Sequence, residues 1–269
     1  MHVLSLVGPD AAARAVADRL ASRLGEDGRV AEVRRTETDV EQHDGPSAAK
    51  FEFTDGNWSA TGRDRSLSDL LADLAPDYEY ALLVGFPEAD VPQVRIGDAA
   101  DSDSEAPAAV LLDAADAADV DPDEVRTALA GTEPYETLES LVAEAKRSED
   151  APYSGAIATF TGRVRAKEDA ADTPTEFLEF EKYEGVAEDR MDAISAELEE
   201  RDGVYEVLMH HRTGVIEYGE DIVFVVVLAG HREEAFRTVE DGIDRLKDEV
   251  PIFKKESTTD EQFWVHERQ

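Results

Sequence analysis

Residues 221–230 read DIVFVVVLAG, the most hydrophobic run in a chain of 269 residues. A run this short and this apolar is expected to form a strand with a helix following it, since Phe236, Val239, Ile243 and Leu246 mark one helical face that must stop before Pro251. Working outward, three further strands are expected at 154–165, 175–183 and 204–212, an amphipathic helix at 187–200, and helical spacing of leucine and valine at 137–146. Strands joined by hairpin-like links, with helices on one side, imply an α+β domain.

The first half reads differently. The apolar run 3–7 (VLSLV) leads through Gly8, Pro9 and Asp10 into an alanine-rich stretch ending at Leu24, which is the order strand, turn, helix. YALLVGF at 80–86 is short, uninterrupted and glycine-bounded, as expected of a buried strand in a parallel sheet. An α/β domain over 1–128 and an α+β domain over 129–269 follow, with the stretch DAADSDSEAPAA at 98–109 as a flexible acidic loop and 109–112 as one more strand of the first sheet. No internal repeat is visible.

Composition narrows the chemistry. There are no cysteines, so disulfides, thiolate metal sites and cysteine nucleophiles are excluded. The balance of 27 Lys+Arg against 63 Asp+Glu gives −36, a field that opposes binding to nucleic acid or anionic membranes. Lysine supplies only 7 of the cations and arginine 20, a surface suited to molar salt, where self-repulsion is screened within about 3 Å. No run approaches the roughly 18 apolar residues of a membrane span, and the N-terminus has no basic flank or cleavage site, so a cytoplasmic location is expected.

The scarce lysines are clustered: Lys247, Lys254 and Lys255 fall within nine residues. One reading pairs them with Asp248, Glu249 and Glu256. The other makes them part of a site for a phosphate-bearing small molecule, together with Arg163 and Arg165, two apart on an expected strand and so on one face, and with His231 and Arg232, which follow the hydrophobic strand where a helix begins. Adjacent residues of an extended segment face opposite ways, so only one of Lys254 and Lys255 can readily enter such a site. A lysine set among other cations is also the better proton acceptor or nucleophile, which suits Lys247 or Lys254 to catalysis.

GAIATFTGRVR at 155–165, LEFEKYEG at 178–185, HHRTGVIEYGE at 210–220, AGHREEAF at 229–236 and RLKDEVPIFKKE at 245–256, followed by Trp264 and Val265, resemble the large, catalytic subunit of molybdopterin synthase over about residues 132–269. The resemblance implies conversion of cyclic pyranopterin monophosphate to molybdopterin, with two dithiolene sulfurs donated by the thiocarboxylated C-terminal glycine of a small ubiquitin-like carrier. It implies Lys247 and Lys254 as the essential lysines, and Arg163, Val164, Arg165, His231, Arg232, Lys255 and Glu256 as substrate-binding positions. It further implies a homodimer with carriers at its outer ends, forming a heterotetramer, and no metal or cofactor, since the sulfur arrives on the partner. The acidic insert at 167–176 departs from the short polar loop usual in the family.

The first half, through strand, Gly8, turn and helix and through YALLVGFPEADVPQVRIGD at 80–98, is similar to the molybdopterin-guanine dinucleotide biosynthesis adaptor protein, a P-loop family. A working loop reads G-x-x-x-x-G-K-[ST]. Here Gly8 is followed by Ala13, Arg14 and Ala15 at the positions of the second glycine, the lysine and the hydroxyl, so no nucleotide binding is expected. An alternative to catalysis is a scaffold that holds molybdopterin and hands it to later steps.

Overall fold

The structure is a computed structural model describing residues 1–36, 48–100, 109–167, 170, 173–183 and 185–258, with the backbone of 262–265. Most of the expected loop at 98–109 and much of the insert at 167–176 lie outside these residues. The chain divides into two compact units, Met1–Glu136 and Thr137–Gln269. The expected boundary after residue 128 falls inside a helix, Pro122–Ala130, that belongs to the first unit.

The first unit runs β1 (His2–Val7), α1 (Asp10–Leu24), β2 (Val30–Arg34), β3 (Ala49–Thr54), β4 (Asn57–Gly62), α2 (Leu67–Leu74), β5 (Tyr80–Val84), β6 (Gln93–Ile96), β7 (Val110–Ala114) and α3 (Pro122–Ala130). Its main sheet has the order β2-β5-β1-β6-β7, with every pairing parallel. Leu4, Leu6, Leu82 and Val84 pack against α1 and α3, while Val3, Ala81 and Leu83 pack on the opposite face with Leu71 of α2. Burial on both faces explains why β1 and β5 are apolar without alternation. Strands β3 and β4 form a separate two-stranded hairpin that the sequence reading did not anticipate.

The second unit runs α4 (Leu138–Arg147), β8 (Ala156–Arg163), β9 (Thr175–Lys182), α5 (Val186–Glu199), β10 (Val204–His211), β11 (Gly214–Glu217), β12 (Asp221–Ala229), α6 (Arg232–Glu249), β13 (Ile252–Thr258) and β14 (Gln262–Val265). One antiparallel sheet has the order β10-β12-β8 and a second the order β11-β9-β13-β14. The central strand β12 carries Val223, Val225 and Val227 towards α5 and α6, and Phe224, Val226 and Leu228 towards α4. Helices therefore cover both faces of this sheet, not one as expected, because β12 is apolar at almost every position and each face needs a cover. A fully buried valine or leucine here contributes about 1.5–3 kcal/mol.

On helix α6 the face read from the sequence holds at Val239, Ile243 and Leu246 but not at Phe236. Phe236 is 64% exposed, and the buried positions are Ala235, Thr238, Gly242, Ile243 and Leu246. The small residues let the helix approach the sheet: a Cβ on Gly242 would stand 3.1 Å from Met209 Cε and 3.2 Å from Val225 Cγ1.

Candidate functional site

The β9–β13 ladder separates the neighbouring lysines. Lys254 stands opposite Phe180, Lys255 opposite Glu179 and Glu256 opposite Leu178. Leu178 and Phe180 are buried in the unit's core, so Lys254 and Glu256 share the inner face and Lys255 lies on the outer one. Lys255 Nζ is 2.9 Å from Glu179 Oε2, an ion pair that holds it away from the inner face. Glu256 accepts a hydrogen bond from the Thr175 hydroxyl.

Lys247 occupies the last turn of α6, with Nζ 5.9 Å from the centroid of the Phe160 ring. Among the described residues no carboxylate pairs with it. Phe160 lies on β8, whose far end leads to the arginines.

The structure treats residues 163–165 unequally. Strand β8 ends at Arg163, so the expectation that Arg163 and Arg165 share one strand face does not hold. Arg163 Nε lies 3.1 Å from Asp221 Oδ1 and its guanidinium also donates to the Gly219 carbonyl, which commits it to the turn before β12. Val164 is 2% exposed, its N–H donates to the Glu220 carbonyl at 2.9 Å and its own carbonyl accepts from Gly219 at 2.9 Å. With its side chain buried and its backbone paired to Gly219 and Glu220, Val164 braces the turn before β12. Arg165 is exposed beyond the strand end.

His231 is the N-cap residue of α6 and Arg232 its first residue, both exposed beside the first-turn N–H groups. These two do not meet Lys247 within one chain. Helix α6 rises about 1.5 Å per residue, which places residues 231 and 247 roughly 24 Å apart at opposite ends. The single pocket expected from all these cations is therefore absent from one copy of the chain.

A feature the sequence reading left unassigned lies behind Lys254. The ring of His211 meets Phe180 edge to face with centroids 4.9 Å apart, and its Nδ1 is 2.8 Å from the Arg212 carbonyl oxygen. A carbonyl can only accept, so Nδ1 carries the proton. Burial, opposed by that hydrogen bond, pushes His211 down to about 4, and burial with nearby Lys182, His211 and Arg212 pushes His210 down to about 3. Both rings are neutral near pH 7. The HHR run in the motif was the available signal.

In the first unit, Gly8 at the turn after β1 lies close against β6. Gly8 has φ +154°, and a Cβ there would stand 2.6 Å from the Ile96 carbonyl oxygen. Asp10 puts a carboxylate in the first turn of α1, where Arg14 Nε binds it at 3.0 Å. Ala13 is buried within α1 and Ala15 exposes only a methyl group, so neither supplies the polar contact a nucleotide requires.

A cysteine-free α+β unit that concentrates lysine and arginine at the ends of one helix, beside aromatic and neutral histidine rings, has the makings of an enzyme for an anionic small molecule. The family model described as MoaE protein matches residues 132–249. A probable molybdopterin synthase of Haloferax volcanii is 60% identical over 274 residues, covering 100% of both chains. The molybdopterin synthase catalytic subunit of Pyrococcus abyssi is 36% identical over 112 residues, covering 42% of this chain and 74% of its own. Among solved structures, the MobB protein homologue from Bacillus stearothermophilus is 22% identical and covers 35% of this chain and 63% of its own, with a TM-score of 0.30. The chain belongs to the molybdopterin synthase family, enzymes of molybdenum cofactor biosynthesis.

Proposed function

We propose that the second unit transfers sulfur from the C-terminal thiocarboxylate of a small ubiquitin-like carrier to cyclic pyranopterin monophosphate, forming the dithiolene of molybdopterin in the cytoplasm. The observation that carries this reading is Lys247, a lysine without a carboxylate partner among the described residues of a chain with net charge −36. A cation left unpaired in such a field is suited to a phosphate or a thiocarboxylate. Lys254, on the inner face beside Phe180, is the second catalytic lysine. Lys255 and Glu256 flank it, and Arg165 binds at the phosphate while Arg163 and Val164 hold the turn that presents it.

The roughly 24 Å between His231 and Lys247 supports a site made from two copies of the chain, Lys247 and Lys254 from one protomer with His231 and Arg232 from the other. That arrangement makes the active form a homodimer and, with carriers bound, a heterotetramer. The first unit, proposed as adaptor-like over about residues 1–128, takes no nucleotide in this scheme.

Turnover tests the reading: the protein is incubated with cyclic pyranopterin monophosphate and thiocarboxylated carrier, and dithiolene is assayed. Product formation that depends on both additions is the expected result. Tight pterin binding with no product would favour the scaffold function instead.

A further inference from the structure

Thr175 is buried at the start of β9, at 8% exposure, and a buried hydroxyl is tolerated only where it finds a partner. Its direction depends on an irregularity in the ladder. Between Ser257 and Thr258 the register advances one residue on β13 but two on β9, from Phe177 to Thr175, which leaves Glu176 as an extra residue. Strict alternation would put Thr175 on the outer face with Phe177 and Glu179. The extra residue instead sets it opposite Thr258, which shares the parity of Lys254 and Glu256 and so the inner face. Re-aiming one side chain is a common use of a β-bulge beside a site.

Two bonds use that placement. The Thr175 hydroxyl donates to Glu256 Oε1, and the Thr175 N–H donates to the Ala166 carbonyl at 2.8 Å. Ala166 directly follows Arg165, and Glu256 lies two residues from Lys254 along one strand face. A single residue of the acidic insert at 167–176 therefore joins the segment that carries the arginine to the strand that carries the lysine.

We propose that Thr175 is a positioning residue of the sulfur-transfer site, holding the Glu256 carboxylate and the Arg165–Ala166 segment in a fixed relation so that both meet one substrate. This rests on the function proposed above, in which Arg165 serves the phosphate and Glu256 flanks Lys254. A carboxylate can only accept, which suits Glu256 to the N–H donors of a pterin ring. Thr175 touches no reacting atom and acts through Glu256. A hydroxyl bound to one carboxylate oxygen restricts the rotamers of that side chain, and a bond to a charged acceptor is stronger than a neutral one. Groups fixed before the substrate arrives need no ordering when it binds, so loss of the hydroxyl should weaken pterin binding more than it slows the chemical step.

The test uses the full chain in molar KCl with its carrier. Thr175→Val keeps the branched shape and removes the donor. Its KM for cyclic pyranopterin monophosphate should rise at least about fivefold with kcat within about twofold of the parent, and Thr175→Ser, which keeps the hydroxyl, should stay within about twofold in both. A merely structural role would lower the active fraction, and so the apparent kcat, with KM unchanged. That pattern, or a KM within about twofold of the parent, overturns the proposal. A Glu256→Ala background isolates the route: there the further change Thr175→Val should alter KM less than about twofold, and a factor equal to that in the parent background overturns the proposal. A parent that forms no dithiolene overturns the function itself and this role with it, whereas a parent that turns over and a Thr175→Val variant that matches it overturn the role alone.

Discussion

Lys255 Nζ lies 2.9 Å from Glu179 Oε2 across neighbouring strands, and this ion pair fixes which of two adjacent lysines looks away from the core. With Lys255 held on the outer face, Lys254 is left beside Phe180 on the inner one, and Lys247 approaches through the last turn of α6. Lys247→Ala and Lys254→Ala should each reduce turnover at least about tenfold, equivalent to about 1.4 kcal/mol of transition-state stabilisation. Lys255→Ala should change it less than about threefold, because the ion pair holds Lys255 on the face away from Lys254. Steady-state dithiolene formation checks this, and equal activity of all three variants with the parent removes the assignment.

The length of α6 makes a sharper prediction. If one site draws Lys247 from one protomer and Arg232 from the other, Lys247→Ala and Arg232→Ala should each be inactive alone yet complement when mixed. Random re-pairing makes half of the dimers mixed, each with one intact site, so about a quarter of parental activity should return. Mixtures that stay as inactive as the separate variants would place the whole site within one chain.

How far the architecture could be read in advance depended on what each residue reports. Apolar runs report burial, so β1, β5 and β12 were legible, and strand parity set Lys254 and Lys255 on opposite faces. On helix α6 the sequence face held at Val239, Ile243 and Leu246 and failed at Phe236, which stays in solvent, while the close helix–sheet approach is made by Ala235, Thr238 and Gly242, which carry no hydrophobic signal. Strand β11 is four residues long, too short to show a period, and the β3–β4 hairpin buries neither face of its ribbon. Arg163 and Arg165 were placed together by running the strand two residues past its actual C-terminal end. The 24 Å between the ends of α6 was already implicit in its length, but only the helix boundaries turn it into an argument about assembly.

The two buried histidines link stability to pH. Their values in the fold, about 3 for His210 and about 4 for His211, lie below the ordinary 6.5, so between these limits the unfolded chain binds more protons than the folded one. Stability is unaffected by them above about pH 6.5 and falls as pH drops below it. Down to pH 5 each histidine should cost about 2 kcal/mol. Denaturant titrations in molar KCl at pH 8 and pH 5 should show a smaller loss for His210→Phe and for His211→Phe than for the parent. The comparison with the parent cancels the contribution of the many carboxylates, and identical losses would show that these rings titrate normally.

The residues after β1 predict the absence of a ligand. With Ala13 and Ala15 where a phosphate loop has glycine and a hydroxyl, and the Asp10 carboxylate in the first turn of α1, a triphosphate would meet a helix N-terminus already compensated by negative charge. Calorimetry with GTP and Mg²⁺ should find no binding tighter than roughly millimolar, about −4 kcal/mol. Micromolar affinity would mean that the first unit keeps a nucleotide function.

The charge of the chain sets the salt dependence of its encounter with the carrier. The carrier's thiocarboxylate tail must reach Lys247 and Lys254, so attraction is local, while the −36 chain repels any acidic carrier as a whole. At about 0.01 M salt that repulsion extends some 30 Å and slows approach; in molar salt it is confined to about 3 Å, and contacts inside the site are screened far less. The association rate should therefore rise with KCl, opposite to the behaviour of oppositely charged partners. Low salt also threatens the fold, since unscreened self-repulsion acts on the same charges, so circular dichroism must accompany stopped-flow association at each concentration. If the chain stays folded throughout and the rate falls steadily as KCl is raised, long-range attraction governs the encounter, and the carrier meets a basic surface more extensive than the two lysines.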